Sequence, residues 1–288
     1  MKKAFLLGLA MLFSLASSAS FADAKAEEVK KARPADDFLI LPLRIYRLKA
    51  EDVPEVHCHQ LTDADLQRII EKVNLVWSAA GIFWDVEFIR DIPAQNAARI
   101  KLVGIADEKD APAKKKTARK SHLIFRDVIP DETRKDFDGF RLYYIHDFDV
   151  NGVYFGRREA MVKETAALRP VPDGIDEPIP RVSSHELGHA LGLPHRQDTI
   201  NLLASGTTGT LFNTEEIAKT RENAEKNKAC LKFAELVKKA ETETDIASKN
   251  RLTEAAARIR AMAGGLVHPL PEAVKELKKR MESAQPAK

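Results

Sequence analysis

The sequence predicts an α+β fold: a mixed, twisted sheet with helices, followed by a C-terminal all-helical extension. Three observations carry that expectation. Between residues 38 and 89 two strand-forming runs flank a stretch with helical spacing. Around residues 185–195, histidines recur at one helical turn and the pattern stops at Gly and Pro. Beyond about residue 225 the composition shifts to Ala, Lys and Glu with few aromatics.

In chain order, residues 38–48 (FLILPLRIYRL) are rich in strand formers, and Pro42 points to an edge strand or a bulge. Residues 61–80 place Leu66, Ile69, Ile70, Val73, Val76 and Trp77 at helical spacing, with Thr62 as cap, Asp65 three positions on and Gly81 as stop. Residues 82–89 (IFWDVEFI) return to a strand, giving a strand–helix–strand unit and so a right-handed crossover. Trp77 and Trp84 are expected to be core packing. Residues 140–145 (FRLYYI) read as a further strand.

Asp147-Phe148-Asp149-Val150-Asn151-Gly152 begins like a calcium loop, but Arg158 stands where the bidentate Glu is needed. Asn151-Gly152 is also a strong hairpin signal, so a hairpin is expected there and Ca²⁺ is not favoured. Val153, Tyr154, Phe155 and Gly156, with residues 160–163, are the expected flank of a substrate cleft, where an edge strand could pair with an extended peptide. Four prolines in residues 168–180 suit a loop, with a helix expected to begin at Val182 or Ser183.

That helix carries the chemistry. His185 and His189 lie four apart, hence on one face, and two neutral imidazoles suit Zn²⁺. Glu186 stands beside them, placed to take a proton from water activated at the metal. Gly192 can adopt the left-handed conformation that ends a helix, and Pro194 forbids helical geometry at Leu193. The resulting turn can return His195 to the same ion as a third ligand.

This H-E-x-x-H-x-x-G-x-x-H run, His185 to His195, resembles the signature of the metzincin clan of zinc endopeptidases, matrixins among them. The resemblance implies zinc ligands His185, His189 and His195, one catalytic Zn²⁺, Glu186 as general base, and a polypeptide substrate in a cleft between a sheet-rich upper and a lower subdomain. It also implies a Met-containing turn beneath the metal. Here Leu203 stands at that place, a swap of similar volume. Residues 205–212 (SGTTGTLF) would form a flexible loop shaping the pocket after the scissile bond, and Thr214-Glu215-Glu216 would cap the next helix. Leu203 is also the one feature favouring the alternative, a zinc-stabilised extracytoplasmic binding protein with little or no turnover. The leaving group is not fixed by sequence, so an amidase using the same site stays open.

Residues 1–22 read as a secretory leader: Lys2 and Lys3, an apolar run too short to span a bilayer, then small residues ending at Ala22. The expected organisation is leader 1–22, mobile arm 23–37, catalytic domain 38–225 and helical extension 226–288, in an extracytoplasmic setting without stable membrane insertion once the leader is gone. The arm contains neither Cys nor His, so latency through a Cys-blocked metal is not expected. With 44% hydrophobic and 31% charged residues the chain is globular, and a formal net charge of +3 gives no reason to expect nucleic acid. The basic run at 114–120 (KKKTARK) reads as a solvated loop.

Export would make Cys58 and Cys230 a disulfide tying the catalytic domain to the extension, with two free thiols as the competing picture. His57-Cys58-His59 is not read as a metal cluster, because adjacent residues point in different directions and no second cluster at ligand spacing accompanies it. In the extension, Cys230, Phe233 and Val237 mark one helical stripe, Leu252, Ala255, Ile259 and Met262 a second, and Val274, Leu277 and Met281 a third. They suit a helical cap on the catalytic domain, or else a surface for a protein partner.

Overall fold

A computed structural model describes residues 33–100 and 124–264. The leader, residues 23–32 of the arm, the basic run at 114–120 and the stripe Val274, Leu277, Met281 lie outside the described residues. The end of the arm forms a 3₁₀ turn, Ala35–Asp37, with Arg33 Nη1 2.6 Å from Asp37 Oδ2 and Arg221 Nη2 3.0 Å from Asp37 Oδ1.

Strand β1 (Leu39–Lys49) leads to helix α1 (Asp63–Ser78) and strand β2 (Ile82–Pro93), which lies parallel to β1 as the crossover requires. Helix α1 begins with the capping box expected from its sequence: Asp65 N donates to Thr62 Oγ1, and Thr62 N donates to Asp65 Oδ2. Near its C-terminal end Asn74 Nδ2 donates to Trp84 O while Asn74 Oδ1 accepts from Trp84 N. One buried amide thereby satisfies both main-chain groups of a residue on β2, the strand at one end of the sheet order among the described residues. Trp77 and Trp84 are fully buried and meet edge to face, ring centroids 5.7 Å apart.

Strands β3 (Phe140–Ile145), β4 (Gly152–Gly156) and β5 (Glu159–Lys163) complete a sheet of order β2-β1-β3-β5-β4. Strands β3 and β5 are parallel to β1 and β2, and only β4 runs antiparallel, along β5. Strand β1 is therefore central, not an edge. Pro42 sits between the residues paired to β6 (Leu39 and Ile40) and those paired to β3 (from Leu43), next to a register shift against β2 at Leu43/Arg44. The expected hairpin at Asn151-Gly152 is displaced as well. The tight turn joins β4 to β5 at Arg157-Arg158, both with positive φ (53° and 63°), the geometry of a two-residue hairpin turn. Asn151 instead spends its amide on the backbone of Ala167, and Asp147 pairs with Lys163, 2.9 Å away.

Helix α2 runs over Pro178–Ala190, starting before the expected Val182. Pro178 and Pro180 fall in its first turn, where the N–H groups they lack would have no intrahelical acceptor. Helix α3 (Thr214–Glu225) is capped by Asn213, whose Oδ1 accepts from Glu216 N while its own backbone N–H donates to Glu216 Oε2. Strand β6 (Leu231–Lys232) pairs antiparallel with the start of β1, and α4 (Phe233–Thr242) and α5 (Ile246–Ala263) follow. Phe233, Leu236, Leu252, Ala255 and Ile259 pack with Phe38, just before β1, and with Ile40 and Phe83 of the sheet in one buried cluster. Arg251 is paired with the buried Asp85 of β2. No helix among the described residues is long and apolar enough to cross a membrane.

The structure overturns the expected disulfide. Cys58 and Cys230 are both free. The Cys58 amide donates to Leu48 O at the end of β1, whereas Leu231, next to Cys230, pairs with Ile40 at its start. Those positions on β1 are separated by roughly 26 Å at strand rise, and a bridge needs Cα atoms within about 7 Å. Alkylating the unfolded chain without prior reduction should therefore add two alkyl groups by mass, and a product carrying none would reject this placement. In the folded protein Cys230, half-buried, should react before Cys58. Burial, with the neighbouring Glu164 charge, holds the Cys58 thiol far above its usual range, while burial and nearby carboxylates push Cys230 up to about 11.

Candidate active site

Helix α2 presents His185 and His189 on one face, and the chain then reverses. Gly192 has φ +84°, and its amide donates to His189 O at 2.9 Å while Leu193 N donates to Gly188 O at 3.0 Å. A side chain at Gly192 would also strike Asn223 Nδ2, 2.7 Å from the Cβ position, and that amide caps Leu191 O. His195 is thus brought back as the sequence pattern requires. His189 Nε2 lies 3.1 Å from His185 Nε2 and 3.1 Å from His195 Nε2.

The three rings fit a transition-metal ion. His185 Nδ1–H donates to Leu202 O at 2.8 Å and His189 Nδ1–H to Leu193 O at 2.7 Å, so both leave Nε2 with its lone pair facing the centre. Burial first, then the Arg181 charge, pushes His185 down to about 3, and burial lowers His189 too. Neutral imidazoles are the form that ligates. Nitrogens 3.1 Å apart match the spacing of about 3.3 Å expected around a tetrahedral ion with bonds of 2.0–2.1 Å.

Glu186 lines the same cleft, a space of about 610 Å³ bounded by Val150, Gly152, Val153, Tyr154, His189, His195 and Lys219. Glu186 is 5% exposed, and burial pushes its pKa up to about 8, opposed by Arg181 and by the Tyr154 backbone amide that donates to it. Strand β4 approaches α2 so closely because Gly152 has no side chain: a Cβ there would lie 2.6 Å from Val182 Cγ1 and 2.8 Å from Glu186 Oε1. Val153, Tyr154, Phe155 and Gly156 are half-buried along the strand that ends the sheet order. Of these, Val153 and Tyr154 line the cleft.

Leu203 is fully buried in the turn beneath α2, its methyl carbons 3.3 and 3.4 Å from where a Gly188 Cβ would be. The segment expected to be a flexible loop is pinned. Thr207 bridges Arg169, Thr208 N donates to Arg169 O, and Ile175 N donates to Thr208 O.

Two side chains hold this floor: Arg181, which sequence reading did not assign, and Glu216, which it read only as part of a helix cap. Arg181, 1% exposed, donates from Nε to Gly209 O (3.0 Å) and from Nη2 to Asn201 O (3.3 Å) and Ala204 O. Glu216, also buried, accepts from Arg196 Nε (2.6 Å), Asn201 Nδ2 (2.8 Å) and Asn213 N (2.9 Å). The available signals were an Arg one helical turn before His185 and the Asn-x-x-Glu spacing of a capping box. Tyr144 OH, 2.9 Å from Ser183 Oγ, ties α2 to β3.

No protein-family model and no curated protein matches the chain. Among solved structures it is similar to a chaperone–substrate complex (12% identity, TM-score 0.37, covering 66% of this chain and 34% of that one). It is likewise similar to archaemetzincin from Methanopyrus kandleri (17%, 0.38, 67% and 99%) and to metalloproteinase-II from Bacteroides fragilis (11%, 0.34, 64% and 53%).

Arg181→Met keeps much of the side-chain volume and removes the three donations to the floor. Leaving those carbonyls unpaired should lower the unfolding free energy by roughly 3 kcal/mol or more. A urea denaturation curve measures this, and an unshifted midpoint would exclude the clamp.

Proposed function

We propose that this chain is a secreted zinc-dependent endopeptidase. One observation carries the reading: three imidazoles converge on one point, and a buried carboxyl lines the same cleft beneath a strand at the end of the sheet. The leader-like residues 1–22 support an extracytoplasmic setting. His185, His189 and His195 would hold the zinc ion, whose chemistry is Lewis acidity, polarising a carbonyl and making water acidic enough to lose a proton near neutrality.

Glu186 takes that proton at its carboxylate and returns it to the leaving nitrogen as the C–N bond breaks and the water oxygen joins the carbonyl carbon. Val153, Tyr154, Phe155 and Gly156 would align an extended substrate along β4, with Tyr154 N–H steadying Glu186 from that strand. Leu203 gives α2 an apolar floor in place of the clan's Met.

The test is a peptide-library digest with the zinc-loaded full chain. Cleavage should vanish with chelator and return with Zn²⁺. Glu186→Gln should lose about 10²-fold or more in kcat/KM while holding as much zinc as the wild type. A zinc-loaded wild type that cleaves nothing would sink the endopeptidase reading and favour a zinc-stabilised binding protein.

A further inference from the structure

The parallel strands β1, β3 and β5 finish at the same end of the sheet, and each is followed by a side chain that meets the others there. His146 follows β3 directly, Glu164 follows β5 directly, and His59 lies in the segment after β1. His146 Nδ1 is 2.8 Å and His59 Nδ1 3.5 Å from the same oxygen, Glu164 Oε1. The imidazole centroids are 4.5 Å apart, with planes tilted by 33°.

The carboxylate does not need two imidazoles for its own satisfaction. Oε1 accepts the His59 amide (3.1 Å), and Oε2 accepts the amides of Gln60 (2.9 Å) and Leu61 (3.2 Å) and the Cys58 thiol (3.1 Å). The Glu164 side chain is completely buried, whereas His146 is a quarter and His59 half exposed. A fixed anion bonded to one imidazole nitrogen, with a second 3.5 Å away that is held for now by the His57 carbonyl at 2.9 Å, offers three donors that an ion could draw together over a supporting shell already in place.

We propose that His59, His146 and Glu164 form a second site for a divalent transition-metal ion of the zinc class, separate from the three-histidine centre. The ligand atoms lie within 4.8 Å of one another, and the separations of 2.8 and 3.5 Å straddle the value of about 3.3 Å set by tetrahedral bonds near 2.0–2.1 Å. Two nitrogens and one oxygen select such an ion over Mg²⁺ or Ca²⁺, which take oxygen ligands. On binding, the imidazole proton on each Nδ1 is given up or moved to Nε2, and the hydrogen bonds of His146 Nδ1 to Glu164 and of His59 Nδ1 to His57 O are replaced by bonds from the two nitrogens and the carboxylate to the ion. The amides of His59, Gln60 and Leu61 stay on the carboxylate and hold it. The ion would tie the segment that leads into the α1 cap to the ends of β3 and β5. The His57-Cys58-His59 run therefore contributes one ligand, and its companions come from distant sequence.

Chelator-stripped full-length chain, dialysed against Zn²⁺ alone, tests the site by metal content. The wild type should hold two equivalents, His185→Ala/His189→Ala one, and His59→Gln/His146→Gln one. The four substitutions together should leave none. Wild type holding a single equivalent that disappears in His185→Ala/His189→Ala would overturn the proposal, as would two equivalents surviving in His59→Gln/His146→Gln. Should the latter variant fail to fold, diffraction from zinc-loaded wild-type crystals at the zinc absorption edge decides. An anomalous peak within bonding distance of Glu164 Oε1 supports the site, and a peak at the three-histidine centre alone rejects it.

Discussion

A guanidinium buried under α2 is the interaction on which the candidate centre depends. Arg181 joins the helix that carries His185, Glu186 and His189 to the carbonyls of Asn201, Ala204 and Gly209, and so sets the depth of the turn holding Leu202 and Leu203. Leu202 O in turn receives the Nδ1 proton of His185, which decides the nitrogen that ring offers inward. A flexible ammonium at this place could not reach separated acceptors with one rigid fork. Burial lowers the Arg181 pKa to about 10, which still leaves it charged, and its field helps keep His185 neutral. Structure beneath the site and chemistry within it thus share one side chain.

The opposite wall rests on an absence of atoms. Strand β4 can lie against α2 only because Gly152 has no Cβ, and that contact buries Glu186 while bringing the Tyr154 amide to its carboxylate. Desolvation and a single backbone donor act in opposite directions on the same group, with desolvation the larger. The sheet then exposes β4 as its terminal strand, so the buried carboxyl and the half-buried residues of β4 face a common cleft.

The remainder of the chain braces this arrangement from a distance. Asn74 closes the hydrogen bonding of Trp84 on β2, and β6 with α4 and α5 covers Phe38, Ile40 and Phe83 near the start of the sheet. At the far end of β1 the buried Glu164 gathers the amides after Cys58. Both cysteines are committed to these opposite ends, which is why an even count of two did not translate into a bridge.

Local pattern was enough for the elements whose signals lie within a few residues: the Thr62–Asp65 cap, the apolar face of α1, the strands at 38–48, 82–89 and 140–145, and the reversal at Gly192 that returns His195. Helical period and glycine conformation act over a single turn, so sequence by itself determines that three histidines can share one point. It misplaced features whose energy comes from other parts of the chain. Arg157-Arg158 takes the hairpin turn although Asn151-Gly152 has the better residues, because the order of β3, β5 and β4 requires the tight reversal between β4 and β5. Pro42 stands in a central strand because its neighbours leave a gap beside it, and Pro178 and Pro180 open α2 instead of preceding it. The floor contacts of Arg181 and Glu216 and the meeting of His59 with His146 and Glu164 have no local signature, since these partners lie on other elements. Tertiary structure alone decides such contacts, because a buried polar group must find its partner wherever the folded chain puts one.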